Sequence, residues 1–423
     1  MLILFIYVYL RLIKIVSLNN TNKLKIFNDP IYGFITIPNE GIYDILEHPY
    51  FQRLRRISQM GMSYLVYPGA HHTRFHHALG CMHLMRKSIE VLRFKGVAIN
   101  EEEEKALLIA ILLHDIGHGP FSHAMEHSIV ENIDHEWISL RFMEALNQEF
   151  NQSLTLAIKI FKGEYHRKFF KQLIASQLDI DRLDYLKRDS FYTGVAEGNI
   201  NSERIISMLN VANDELVIEQ KGIYSVEKFL VARRLMYWQV YLHKTSLGAE
   251  QLLIRVLKRA KELVARGEKL NASEALHFFL NHQVTTASFD ADVLKRFSNL
   301  DDIDVLAAMK SWKDHPDFVL QNLCSMLLNR DLLKVKLKNK SIGKKKLAAK
   351  KENLMQEYGI SAHEAEYFVF HGKVSNLAYD NHQAPIKIMY KNHKIKDVTE
   401  ASDQLNLKAL ATPVLKYYIC YPK

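Results

Sequence analysis

Cysteine is scarce in this 423-residue chain: there are three, Cys81, Cys324 and Cys420, and they are far apart with no paired spacing. That excludes a disulfide scaffold, argues against a thiolate metal site and suits a reducing compartment, so a cytoplasmic location is expected. A membrane-spanning run is also lacking. The most apolar stretch, "MLILFIYVYLRLIKIVSLNN", is interrupted by Arg11 and Lys14, whereas a span needs roughly 20 consecutive apolar residues. Nor does it have the layout of a secretion signal, in which positive charge precedes the apolar run and a small-residue cleavage site follows it. Residues 1–24 read as an apolar N-terminal extension with three open origins: an upstream start codon adding non-native residues, an interfacial helix, or a docked strand or helix. No repeat of fixed period is present.

What the chain has is ordinary globular material. Hydrophobic residues make up 48% and charged residues 24%, so two or three domains with a large core can be built without cross-links. The formal net charge of +9 favours polyanionic partners such as nucleotides, nucleic acid or an acidic surface. A merely solvated basic surface is the competing reading.

Turn formers at Asn28-Asp29-Pro30 and Pro38-Asn39 flank a β-rich run, Ile31 to Ile37, which predicts a small hairpin followed by a helix. Helical signals then dominate to about residue 310. In "NEEEEKALLIAILLHD", Asn100 and Glu103 have capping-box spacing and the glutamates suit the positive end of the helix dipole. The apolar run behind them is almost unbroken, so this helix is expected to be central and buried. The glycines of "DIGHG" end it, which leaves His114 and Asp115 at its C-terminal end, inside the protein. Residues 202–245 and 249–264 also read as helical. From about 311 the texture changes: "KVKLKNKSIGKKKLAAKKEN" is strongly basic, and "EYFVFHG", "APIKIMY" and "VLKYYICY" look like strands. The expected architecture is mainly α, a helical core with a small N-terminal β-hairpin and a smaller, basic α/β C-terminal domain at 311–423.

A buried His-Asp pair needs a partner, because an ionised carboxylate in apolar surroundings is very costly. A metal ion would supply one. Upstream, "HHTRFHHALG" starts a helix with an approximate apolar stripe, and His77 falls on or beside that stripe. Downstream, in "SQLDIDRLDYLKRDSFYTG", Ser176 is a cap candidate and Asp181, Tyr185 and Asp189 share one helix face. The set His77, His114, Asp115 and Asp181 mixes imidazole and carboxylate. It suits one divalent transition metal (Fe, Mn, Zn or Ni) and leaves positions open for water and a phosphate oxygen. Taken singly, each histidine reads as a surface or satisfied core residue and the aspartate as a helix cap.

"RFHHALG", "LLHDIGHGPFSH" and "DIDRLDYLKRD" together resemble the H…HD…D signature of the HD-domain phosphohydrolases. "DPIYGFI", "HPYFQRLRRISQMG" and "VYPGAHHTRFHHALG" are similar, in order, to the opening segments of the deoxynucleoside triphosphate (dNTP) triphosphohydrolase branch. The likeness is good from Asp29 to Lys244, thinner to about Lys334 and weak beyond. It implies an HD catalytic domain over 25–310 with His77, His114, Asp115 and Asp181 as metal ligands. The implied reaction is water attack at the α-phosphorus of a dNTP, giving deoxynucleoside and triphosphate, with Mg²⁺ accompanying the triphosphate. Arg74, Arg182 and Arg233 can neutralise phosphate with bidentate forks. His118 matches the catalytic histidine, suited to protonating the leaving 5′-oxygen. His123 matches a phosphate contact and His135 a second histidine of the catalytic pocket. Glu126 stands where the family has a catalytic aspartate, a carboxylate one methylene longer.

The resemblance also implies that Gln59, Tyr185 and Asp189 face the deoxyribose. Tyr185 would leave no room for a 2′-hydroxyl, and Arg233, Tyr237 and Tyr241 would share one helical face along the pocket. A helix-face or core role is the competing reading for each tyrosine. Members of the branch bind a second nucleotide, an activator, at a subunit interface. The matching positions are Glu47, Gln52, Arg55, Lys244, Arg330 and Lys334, with Glu47 replacing the family's guanine-reading aspartate, and salt-bridging helix-face roles competing. A homo-oligomer, dimer or tetramer, follows from that implication. The alternatives are an HD phosphohydrolase acting on a nucleoside monophosphate, cyclic nucleotide or alarmone, and a nucleic-acid-binding protein with a regulatory HD site. Nucleic acid is the less favoured partner.

Overall fold

The computed structural model describes residues 25–121, 125, 128–130, 132–380, 385–403 and 407–423. The apolar extension before residue 25 lies outside these.

The chain enters through an antiparallel hairpin, β1 (Ile26–Asp29) and β2 (Gly33–Thr36), paired from Ile26 opposite Thr36 to Asp29 opposite Gly33. The turn is where Asn28-Asp29-Pro30 predicts it. The β-rich run after the turn is only the second arm. Asp29 accepts from the backbone N–H groups of Ile31 and Tyr32 at 2.9 and 3.0 Å, which closes the turn.

Two long helices form the middle of the molecule. Helix α1 (Arg74–Phe94) buries Phe75, His77, Leu79, Cys81, Met82, Met85, Ile89 and Leu92. Helix α2 (Glu101–Leu113) starts on the expected capping box: Asn100 accepts from Glu103 N at 2.8 Å and Glu103 accepts from Asn100 N at 3.0 Å. From Ala106 to Leu113 every residue is buried, so α2 is hydrophobic on all sides and packed on all sides. Each fully buried leucine or isoleucine there contributes roughly 1.5–3 kcal/mol against exposure. Helices α3 (His135–Glu149), α4 (Ile180–Thr193), α5 (Ile223–Met236), α6 (Lys244–Ala265), α7 (Asp302–Trp312) and α8 (Phe318–Leu328) pack around this centre. The fold is mainly α, as expected. Among the described residues, no helix is long and apolar enough to cross a membrane.

Two local readings need correction. Ser176 does not cap α4; Asp179 does, accepting from Arg182 N at 2.8 Å. Residues 202–245 are not continuously helical. A short helix, Ser202–Ser207, gives way to β3 (Leu209–Ala212) and β4 (Glu215–Glu219), joined by Asn213 and Asp214 with φ of 54° and 59°. An Asn-Asp pair able to hold positive φ between two alternating runs is a hairpin signal. Helix α5 then passes into a π-helical turn, Tyr237–Tyr241.

After residue 311 the strands fall close to the predicted places. β5 (Lys334–Lys338), β6 (Phe370–Asn376) and β9 (Val414–Tyr421) form one antiparallel sheet in the order β5-β9-β6. The basic run supplies β5 and helix α9 (Lys344–Tyr358). β7 (Lys387–Met389) pairs with β8 (Ile395–Asp397), and also in parallel with β4, Val217 opposite Lys387. The segment beyond 311 therefore completes a sheet begun before it and shares one hydrophobic core with the helices.

Candidate metal centre and active site

The four residues expected as ligands converge. His77 comes from the first turns of α1, His114 and Asp115 from the end of α2, and Asp181 from the first turn of α4. His77 Nε2 is 3.1 Å from Asp181 Oδ1 and 3.7 Å from Asp115 Oδ2. His114 Nε2 is 3.4 Å from Asp115 Oδ1 and 3.6 Å from Asp181 Oδ1.

Both imidazoles are oriented from behind. His77 Nδ1 lies 2.8 Å from Asp184 Oδ2. A carboxylate only accepts, so Nδ1 carries a proton, and in the neutral ring Nε2 is left to offer its lone pair to the cluster. His114 Nδ1 donates to Ile111 O at 2.6 Å, with the same consequence. Its Nε2 is buried and has no hydrogen-bond partner among the described residues. A buried acceptor aimed at two carboxylates fits a bound cation. Burial opposes charging His77, but Cys81, Asp181 and Asp184 outweigh it and hold its pKa well above the usual value. Burial likewise opposes ionising Asp181, and His114 and His77 overcome it and keep that carboxyl well below the usual range.

The grouping also holds a residue the sequence reading set aside. Ligand atoms of His77, Cys81, His114 and Asp181 all lie within 4.8 Å of one another, so these residues can hold a metal. Cys81 Sγ is 3.6 Å from both ring nitrogens of His77. That places the sulfur against the ring and away from the Nε2 lone pair. Burial pushes its thiol well up, His77 pulling the other way.

Asp115 is not in that group but in a second one, with His118 and His135, while its carboxylate also reaches His77 and His114 at the distances given above. Arg74 donates to Asp115 Oδ2, and His118 Nε2 is 3.5 Å from Asp115 Oδ1. The rings of His118 and His135 stack at 3.8 Å with 17° between planes. Burial, then the Arg74 charge, holds His118 well below its ordinary pKa despite Asp115. The loop carrying His118 lies directly on α3: a Cβ at Gly117 would meet His135 O at 2.2 Å and Ser139 N at 2.3 Å. Gly117 N donates to Ser139 Oγ at 2.8 Å, and Ser139 donates to His114 O at 2.8 Å. Only glycine permits that approach.

Above this floor is a cavity of about 410 Å³. Gln59, Arg74, Asp115, His118, His135, Asp181, Arg182, Tyr185, Asp189, Tyr237 and Tyr241, all singled out from sequence, line it. Asp181, Tyr185 and Asp189 do share a face. The π turn places Tyr237 and Tyr241 edge to face at 5.2 Å, and Tyr241 meets Tyr185 at 6.0 Å. Asp189 is held at both oxygens, by His72 Nε2 at 2.7 Å and by the Tyr241 hydroxyl at 2.7 Å. Arg182 is tethered by Asp179.

Other expected residues stand elsewhere. Arg233 is buried on Gln177, Nη1 to Oε1 3.1 Å, and is not among the residues that line the cavity. His123 and Glu126 lie outside the described residues. The six interface candidates form two surface groups. Gln52 accepts from Arg55 Nε at 2.9 Å, with exposed Glu47 on the helix before them. Arg330 donates to Leu65 O at 2.7 Å, while Lys244 opens α6 and Lys334 opens β5, both exposed. Among the described residues, no hydrogen bond or ion pair joins the two groups. The sequence reading missed Asp184, His72, Asp179 and Gln177, which hold the functional side chains. It also missed Met60–Ser63, Phe121, Ser246, Glu250 and Leu253, which complete the cavity wall. His72 was visible in the histidine cluster, and Asp184 in the same motif as Asp181.

The HD domain family model matches residues 74–189, and the HD-associated region matches 200–278. A phosphohydrolase from Bacteroides thetaiotaomicron, known from its crystal structure, is 52% identical with a TM-score of 0.92, over 95% of this chain and 100% of that one. The Bacillus subtilis protein YwfO is 34% identical over 89% of this chain and 88% of its own length. The chain belongs to the HD-domain phosphohydrolase family. The family named from the motifs is thus the right one. Among its relatives is the Dictyostelium discoideum homologue of the deoxynucleoside triphosphate triphosphohydrolase SAMHD1, 29% identical over 58% of this chain. This HD phosphohydrolase spans about half the length of that relative, 51%.

Proposed function

We propose that this HD phosphohydrolase cleaves dNTPs to deoxynucleoside and inorganic triphosphate, using one transition metal (Fe, Mn, Zn or Ni) held by His77, His114, Asp115 and Asp181. The observation that carries the reading is the partnerless Nε2 of buried His114, aimed at Asp115 and Asp181 beneath a cavity lined by two arginines and three tyrosines. A metal bound there would polarise a phosphoryl oxygen and lower the pKa of a bound water.

The chain's own residues then have distinct tasks. Arg74 and Arg182 bind phosphate oxygens, Arg182 already aimed by Asp179. His118 protonates the leaving 5′-oxygen. Its pKa is depressed by burial first and then by the Arg74 charge, and a polyanion beside it offsets the second of these. His135, stacked beneath, keeps the ring plane fixed. The Tyr185 ring packs on the sugar, and Gln59 and Asp189 take the 3′-hydroxyl. Each Asp189 oxygen still has a lone pair after bonding His72 or Tyr241. A relative named as a dNTP triphosphohydrolase supports this choice of substrate over other nucleotides. An activating nucleotide would be held by the Gln52–Arg55 and Arg330–Lys334 residues at an interface between copies, so the active form would be a homo-oligomer. Mg²⁺ accompanies the triphosphate.

The test is product analysis. Purified protein is incubated with Mn²⁺ and each dNTP, singly and mixed, beside an Asp115→Ala variant. Release of deoxynucleoside and triphosphate, lost in the variant, is expected. Phosphate or diphosphate as product, or turnover only of monophosphates, cyclic nucleotides or alarmones, would move the reading to another HD phosphohydrolase activity.

A further inference from the structure

Arg53 is fully buried, and its hydrogen bonds go to no carboxylate. Nη1 donates to Ile116 O at 2.8 Å and Nη2 to His118 O at 2.6 Å. These carbonyls belong to the turn after α2, where the helix ladder has ended and acceptors need outside partners. The guanidinium stands beside the rings of Phe142 and Phe297, 5.4 and 5.0 Å from their centroids, which are themselves 6.2 Å apart. A cation in such a place costs desolvation unless its hydrogen bonds are well made. Here both go to the backbone around one histidine, and the buried Nε has no partner among the described residues.

The same turn is gripped twice more. Ser139 holds Gly117 N and His114 O. Asp302, at the start of α7, accepts Phe121 N at 2.9 Å and Ser58 N at 2.8 Å. Ser58 precedes Gln59 of the cavity wall. Of the three grips, only Arg53 touches the peptide of His118 itself.

We infer that Arg53 is a positioning residue for His118: its two-pronged bond to the flanking carbonyls sets where the imidazole stands over Asp115 and against His135. Lysine cannot reproduce this. Its ammonium is a point charge on a flexible stem without a planar fork. An Arg53→Lys variant keeps the charge and loses the two-point geometry. The inference rests on the proposed role of His118, and its test has an arm that does not.

Wild type and Arg53→Lys are compared, both metal-loaded, for kcat, KM, metal content and amide hydrogen exchange of residues 114–121. The expected result is a kcat fall of about 100-fold with KM within about threefold, since a misplacement near 1 Å costs that much. Metal content stays at the wild-type level and exchange in 114–121 speeds up. A kcat within about threefold of wild type, or loss of metal together with activity, overturns the inference. If wild type hydrolyses no dNTP, the substrate reading fails separately. The exchange arm then decides, and unchanged exchange in 114–121 overturns it.

Discussion

His77 Nδ1 and Asp184 Oδ2 lie 2.8 Å apart with both side chains fully buried, and Arg188 Nε holds the same carboxylate oxygen at 2.9 Å. Arg188 is tied in turn to Asp29 of the N-terminal hairpin at 2.8 Å. A relay of charge thus runs from the first turn of the fold to the ring of His77. Asp184→Asn keeps the shape and weakens the acceptor. It is expected to lower metal affinity by about 10- to 100-fold, measured by chelator competition. Unchanged affinity would show that the relay does not orient His77.

Gly80 is where that relay meets α1. A Cβ there would stand 2.0 Å from Asp184 Oδ1 and 2.3 Å from Arg188 Nη2. Gly80→Ala is expected to cost about 1–3 kcal/mol as overpacking, read from denaturant melts, and to release metal at the same time. Loss of stability with metal affinity intact would separate the two effects and count against the relay.

Tyr241 donates to Asp189 from the π turn, and burial together with Asp189 pushes its phenol pKa well up, so it remains a donor. Tyr241→Phe leaves a charged acceptor with His72 alone. A stability loss of about 1–3 kcal/mol is expected, with KM for the nucleotide rising more than kcat falls. An equal drop in kcat with KM constant would place Tyr241 in the chemistry and not in sugar binding.

His83 stacks on Tyr32 at 5.2 Å, and burial first, then Lys87 and Arg86, push its imidazole down to about 4. The folded value lies below the unfolded one, so the neutral ring's contribution is present above about pH 6.5. It is lost as pH falls through about 4. His83→Phe keeps the stacking without a titrating group. Its Tm should fall less than that of wild type between pH 7 and pH 4.5. Parallel Tm curves would contradict the assignment.

Much of the site was legible because its residues fall in short stretches where polar groups interrupt strongly apolar helices. His114-Asp115 at the end of "KALLIAILL" could not be solvated there, and the Asn100–Glu103 cap located the helix start. What was not legible depends on distant contacts. Arg53 reaches across to residues 116 and 118, and Asp302 reaches Ser58 and Phe121. Nothing local marks either residue. The β3–β4 hairpin was overlooked although Asn213-Asp214 carried a turn signal. Its parallel partner β7 lies some 170 residues further on, a pairing that no local pattern announces. Arg233 shares a helix with the tyrosines, but Gln177 draws it away from the cavity.

The central claim is a metal bound by His77, His114, Asp115 and Asp181, and metal content per chain tests it most directly. Wild type, His114→Ala and Asp115→Asn would be loaded with Mn²⁺, Fe²⁺, Zn²⁺ or Ni²⁺, desalted and analysed by inductively coupled plasma mass spectrometry. The account predicts close to one ion per chain in wild type for at least one of these metals, and far less in both folded variants. Wild type that retains none of them, or variants that retain as much as wild type, would contradict it.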